Sequence, residues 1–233
     1  MSMPCYKPLS MIQLSCSPMK QLKDNKQYRD NRILAGMLMV SLCGYMVACL
    51  LTGGLYLSYY LALGILSGEL DLTAAQSLEG TIAGTKAGLL LVKLVTVTLF
   101  ATWTYQMMKN TELISREEPL MKPGWAVGWY LIPVANFWKP LQAVKQMNRA
   151  VTEAGARSMK LNVWWGLWVF VLVMNIVFIL TPRVSVADYR NVALLGLIIF
   201  VFELATAVFT FSLVRGLASK QYDAAFKMGI CSN

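Results

Sequence analysis

The sequence predicts an all-α integral membrane protein: a four-helix bundle with an interfacial, cytoplasmic helical segment between its second and third spans. Three observations predict it. Of 233 residues, 57% are hydrophobic and only 14% charged, against about 25% charged in a soluble domain. A soluble fold of this length could not hide so much apolar surface. The apolar residues gather into four runs of bilayer length, and Lys and Arg gather on alternate connections between those runs.

Residues 1–32 form a polar, basic tail with Lys7, Lys20, Lys23, Lys26, Arg29 and Arg32 against Asp24 and Asp30. It is too polar for a secretory signal. From Ile33 to Gly68 there is no charge. About 20 residues cross a bilayer, so a first span over 33–63 must tilt or project, and Gly53-Gly54 marks a kink position. A loop over 67–85 carries Glu69, Asp71 and Glu79. The second span, 87–108, contains Lys93. Beginning at Gly80, the spacing Gly80-x-x-x-Gly84-x-x-x-Gly88 permits close helix packing. The third span, 161–181, is closed by Pro182, and a short loop with Arg183, Asp188 and Arg190 leads to the fourth, 191–214, which contains Glu203. The membrane domain is thus 33–214, and 215–233 is a second tail.

The basic residues fix the expected orientation. The first tail, residues 109–160 and the last tail hold seventeen Lys and Arg; the two opposite loops hold three, Lys86, Arg183 and Arg190. Basic residues are retained on the cytoplasmic side, so both termini are expected there. The net charge of +9 then points to anionic lipid headgroups rather than nucleic acid. Trp164, Trp165 and Trp168 fall at the inner end of the third span, where an interfacial aromatic belt is expected.

The segment over 119–155 is the most informative. Its apolar core, Trp125 to Trp138, is too short to span and suits an interfacial or re-entrant element. Trp125, Trp129, Tyr130 and Trp138 favour headgroup depth, and Pro133 interrupts any helix there. Pro140 opens a second helix. At 100° per residue, Leu141, Val144, Met147, Ala150, Val151 and Ala154 share one face. Gln142, Lys145, Asn148, Arg149, Thr152 and Glu153 share the other. This is the pattern of an amphipathic helix lying on the inner leaflet or on the bundle.

The run from Pro123 to Gln142 carries an aromatic stretch, then Pro-x-x-Asn-x-x-x-Pro, here Trp129, Pro133, Asn136 and Pro140. It resembles the signature of a bacterial membrane family filed as domain of unknown function 4328. The resemblance covers about residues 30–220 and departs at Leu141, where relatives often carry Tyr. It implies four spans and brings no activity.

Lys93 and Glu203 are the charges within the expected spans. Such groups face a bundle interior or water. Counted from the span ends, Lys93 lies about 9 Å deep, level with Asn175, and Glu203 about 18 Å deep, so a Lys93–Glu203 pair requires the lysine to reach inward. Lys93, Thr96 and Thr104 form a stripe, as do Glu203, Thr206, Ala207 and Thr210. If these stripes face each other they make a polar helix interface or a narrow wet crevice.

Catalytic chemistry is sparse. There is no histidine, which removes the commonest general base and metal ligand. The five cysteines show no CxxC spacing. No cofactor, metal or catalytic residue is therefore expected. The expected function is a non-enzymatic interaction or regulatory membrane protein, with Lys145 and Arg149 presented to lipid, a cytoplasmic protein partner or a second copy. The alternative is a small ion or proton transporter using Lys93 and Glu203.

Overall fold

The computed structural model describes residues 28–65, 72–115, 121–132, 134–152 and 159–230. Pro133, Glu69, Asp71, Glu153, Ala154, Arg157, residues 1–27 of the first tail and residues 231–233 of the second lie outside the described residues. Those described are helical, without strands. The elements are α1 (Arg32–Ile65), α2 (Leu72–Ile114), α3 (Pro123–Gly128), two 3₁₀ turns (Trp129–Leu131 and Ala135–Phe137), α4 (Lys139–Val151), α5 (Met159–Leu180) and α6 (Val186–Lys227). Helices α1, α2, α5 and α6 are each long and apolar enough to cross a membrane. The described protein is thus a four-helix membrane bundle.

Three of these helices outrun the expected spans. α2 has 43 residues and α6 has 42, each over 60 Å long at ~1.5 Å per residue, about twice a bilayer's hydrocarbon thickness. α6 starts early because Ser185 and Asp188 form a reciprocal capping box after Pro182. It continues past Val214 because Val214, Leu217, Ala218, Gln221 and Ala225 recur at helical spacing on a buried face. It stops where Gly229 takes φ +67° and the Gly229 and Ile230 amides donate to Phe226 and Ala225, a Schellman closure.

α1 packs along both α2 and α6, and α6 along α5. We call the end where α1 begins and α6 finishes proximal, and the other end distal. α1 is an unbroken helix through Gly53-Gly54. An ideal Cβ at Gly53 would lie 2.5 Å from the Phe200 ring, and one at Gly196 2.5 Å from the Tyr56 ring. Each glycine therefore admits an aromatic ring from the facing helix. Gly80, Gly84 and Gly88, by contrast, have nothing within 4 Å of a Cβ. Their expected close packing does not occur among the described residues, because the stripe lies on no packed seam.

Apolar side chains such as Leu50, Leu51, Leu91, Leu94 and Val201 point outward, as a lipid solvent permits. The largest buried cluster lies proximally, around Leu38, Trp103, Met107, Val144, Trp164 and Leu217.

Candidate functional site

A cavity of about 310 Å³ lies in the distal half of the bundle. Its floor comes from α1 (Cys49, Thr52, Tyr56) and α6 (Gly196, Ile199, Phe200, Glu203). Its walls are α2 (Lys86, Leu89, Leu90, Lys93) and α5 (Asn175, Phe178, Ile179). On the distal side the walls are tied by Arg183, which donates to Glu79 at 3.0 Å and to the Thr181 and Phe178 carbonyls at the end of α5. On the proximal side Phe100 of α2 meets Trp164 of α5 at 6.3 Å. Between these two ties the walls stand apart. Leu90 and Ile179 line the cavity and are 54% and 72% exposed, so they mark its open edge on the outward face of the bundle.

At the cavity's base Lys93 Nζ donates to Glu203 Oε1 at 2.7 Å. The depth difference inferred from the apolar runs does not prevent the pair, since both helices extend beyond those runs and run-end depth is not register in the bundle. The Glu203 side chain is 9% exposed and that of Lys93 40%, so the carboxylate is set in protein and the ammonium reaches it from the cavity. Asn175 lines the same cavity and donates to the Val171 carbonyl at 2.9 Å.

The two expected stripes do not face each other along their length. Thr96 hydrogen-bonds Ser41 of α1 at 2.8 Å. Thr206 returns its hydroxyl to Phe202. Thr210 donates to the Thr206 carbonyl and accepts from Trp164 Nε1 at 2.9 Å. The stripes follow two different seams because α1 sits between α2 and α6 over part of their length.

Sequence reasoning read Lys86 only as a loop charge. It lies within α2, with Nζ 4.1 Å from the Phe178 ring centre and 5.0 Å from that of Tyr56. Among the described residues it has no carboxylate in ion-pair range.

The interfacial segment closes the proximal side. α3 packs on α2, and α4 on α2, α5 and α6, filling the space that α2 and α5 leave between them. α4 buries Pro140, Ala143, Val144 and Met147; Gln142 and Arg149 are exposed and Lys145 is half-buried. The Met121 amide donates to Gln146 Oε1 at 3.1 Å, tying the segment's entry to α4. Trp125 and Trp129 stack at 4.8 Å, and the Lys139 ammonium lies 5.5 Å from the Trp129 ring centre. Trp125, Leu131, Val134, Phe137 and Trp138 form an exposed apolar rim.

The expected tryptophan belt is corrected. Trp164 and Trp165 are buried. Trp165 Nε1 donates to the Phe137 carbonyl at 2.9 Å, so it pins the segment to α5 rather than floating at the headgroups. Among the described residues Asn136, the motif asparagine, keeps Oδ1 buried without a hydrogen-bond partner, as do Tyr130 Oη, Trp103 Nε1 and Thr104 Oγ1. Burial also pushes the Tyr130 phenol pKa upward.

A polar clamp that sequence reasoning did not find joins the proximal helix ends. Asn110 Nδ2 donates to the Arg29 carbonyl at 2.7 Å and to Gln221 Oε1 at 3.1 Å. Asn31 donates to the same oxygen at 3.3 Å. Gln221 Nε2 donates to the Met107 carbonyl at 2.9 Å. Every polar atom of this buried Gln221 side chain is satisfied, so its role is structural. Among the described residues no group of three metal-ligating side chains gathers.

The family described as Domain of unknown function (DUF4328) matches residues 67–219. The match runs from before α2 to the far part of α6 and so contains the interfacial segment, Lys93 and Glu203. No curated protein and no solved structure matches the chain.

Proposed function

The chain belongs to the DUF4328 family, and from that premise we propose that it is a non-enzymatic interaction or regulatory membrane protein. The segment over 119–155 is its working surface, on the cytoplasmic face of a bacterial inner membrane, and the bundle holds that surface in place. One observation carries this reading: the segment is seated on three spans at once, yet leaves an aromatic rim and the Arg149 cation outward. A mere connector would not require large apolar side chains on its free side. Aromatic groups beside cations suit headgroup depth on an anionic leaflet. They also suit a protein partner docking there, since exposed apolar patches mark interaction sites.

The test is photo-crosslinking in native membrane from a reactive residue at position 131, where Leu131 is 85% exposed. We expect a discrete protein adduct that is lost in Val144→Asp, which unseats α4, while membrane insertion persists. An adduct to lipid alone, or one unchanged in Val144→Asp, would overturn the partner reading. Reporter fusions at Asn233 and Gln76 should give opposite sides, with Asn233 cytoplasmic; a periplasmic signal at Asn233 would reverse the face assigned to the segment.

The alternative is a transporter, favoured by the Lys93–Glu203 pair facing a cavity. Against it stands the proximal aromatic packing of Phe100, Trp103 and Trp164, with Trp103 fully buried. We expect no proton or cation flux in liposomes under an imposed potential. Flux abolished by Glu203→Gln would establish the alternative instead.

A further inference from the structure

We propose that the distal cavity between α2 and α5 binds an anionic amphiphile from the bilayer, its singly charged oxyanion held by Lys86 and its acyl chain leaving through the mouth between Leu90 and Ile179. This inference does not depend on the role of the interfacial segment, which lies at the opposite end of the bundle.

Charge within the cavity gives the sign of the ligand. Two ammoniums line it, Lys86 and Lys93, with one carboxylate, Glu203. Lys93 and Glu203 neutralise each other at 2.7 Å. On the rim, Glu79 and Arg183 do the same at 3.0 Å. Among the described residues one positive charge remains, at Lys86, which is held beside the Tyr56 and Phe178 rings. Ring faces offset part of the cost of drying a cation but supply no hydrogen-bond acceptor for its three N–H groups. A single oxyanion would complete the set with charge-assisted hydrogen bonds.

Shape gives the rest. Arg183–Glu79 ties the walls on the distal side and Phe100–Trp164 on the proximal side, so the way in from lipid is lateral. The mouth residues Leu90 and Ile179 are apolar and exposed; a water-borne anion gains nothing from them, whereas an acyl chain lies along them. Lys86 is level with Phe178, two residues short of the end of α5 at Leu180, the depth of a headgroup rather than of chain ends. About 310 Å³ is at the lower end of ligand cavities and suits a headgroup and the first part of one chain.

Lipid is the solvent here, so chain contacts with protein replace equivalent chain contacts with lipid. Selection must therefore come from the head. The site should prefer anionic to zwitterionic heads and be nearly indifferent to chain length. Two sources carry the required chemistry: a phospholipid phosphate without a compensating cation, and a fatty-acid carboxylate.

The experiment is native mass spectrometry of the purified full chain with phosphatidylglycerol, phosphatidylcholine or oleate at equal concentrations. We expect one retained phosphatidylglycerol or oleate, and about tenfold weaker retention in Lys86→Met. Lys86→Arg should keep the adduct, and Leu90→Trp should lose it by filling the mouth with the charge intact. Should Lys86→Met fail to fold, Leu90→Trp against Lys86→Arg decides the matter. Retention of phosphatidylglycerol alone identifies the phosphate source, and of oleate alone the carboxylate. Equal retention of phosphatidylcholine, no retained anion, or an adduct lost in Lys145→Ala/Arg149→Ala but kept in Lys86→Met and Leu90→Trp would each overturn the proposal.

Discussion

Gly196 and Gly54 look alike in the sequence, each a glycine within an apolar helix, but their surroundings separate them. A Cβ at Gly196 would meet the Tyr56 ring at 2.5 Å, while one at Gly54 meets nothing within 4 Å among the described residues. Gly196→Ala should therefore force the ring or α1 aside and cost about 1–3 kcal/mol. Gly54→Ala should be neutral or raise stability by up to about 1 kcal/mol. Thermal unfolding in detergent measures both, and equal shifts would contradict the ring-on-glycine contact. Thr104 gives a second residue-level test. Its hydroxyl is buried and has no partner among the described residues, so Thr104→Val removes an unsatisfied polar atom at little change in shape. Melting should stay level or rise, by about 1 kcal/mol at most; a clear fall would mean that an ordered water serves the hydroxyl. Lys93 and Glu203 were legible in the sequence because charge in an apolar run is conspicuous. Lys86 was not, since it stands where an apolar run begins and its ring partners, Tyr56 and Phe178, come from two other helices.

Among the elements, α4 was the most legible, because Pro140 fixes its start and its apolar residues repeat at helical spacing. The structure buries Val144 and Met147 fully and places Ala143 beside them, so the buried face is centred slightly earlier than the sequence pattern suggested. An aspartate at Val144 would carry charge into a dry seam against α2 and α6, which is unfavourable by several kcal/mol unless the helix lifts away. Val144→Asp should red-shift tryptophan emission, since Trp165 is held through the Phe137 carbonyl, and should leave insertion unchanged. Unshifted emission would show that α4 tolerates detachment without exposing that seam. The proximal part of α6 was missed for a physical reason. Apolar run length detects contact with lipid, but beyond Val214 the helix is held by one face only, through Leu217, Gln221 and Ala225. The periodicity of those residues and the glycine at 229 were the available signals.

At the scale of the molecule, helix number and the surface segment could be read from composition and run length, whereas the relative register of α2 and α6 could not. Register depends on where α1 lies between them, and no local pattern encodes that. The Lys93–Glu203 pair reports this register directly. Its two members are unequally placed: the carboxylate is set in the protein, while the lysine stem lies in the cavity. Removing either partner should therefore have unequal effects. Lys93→Met strands a buried carboxylate, and the loss should approach about 3 kcal/mol, the lower range for a broken buried pair. Glu203→Gln leaves an ammonium that can still donate to the amide oxygen or turn toward the lateral mouth, so its cost should stay below about 1 kcal/mol. The double variant Lys93→Met/Glu203→Gln carries no charge at the seam and should recover most of what Lys93→Met loses. Thermal melting of the four proteins in one detergent gives the coupling energy. Equal losses in the two single variants, with no recovery in the double, would place the pair in a wet, exposed setting. Register would then rest on the contacts each helix makes with α1, Gly53–Phe200 and Gly196–Tyr56 for α6 and Ser41–Thr96 for α2, which hold whether or not the charges are present.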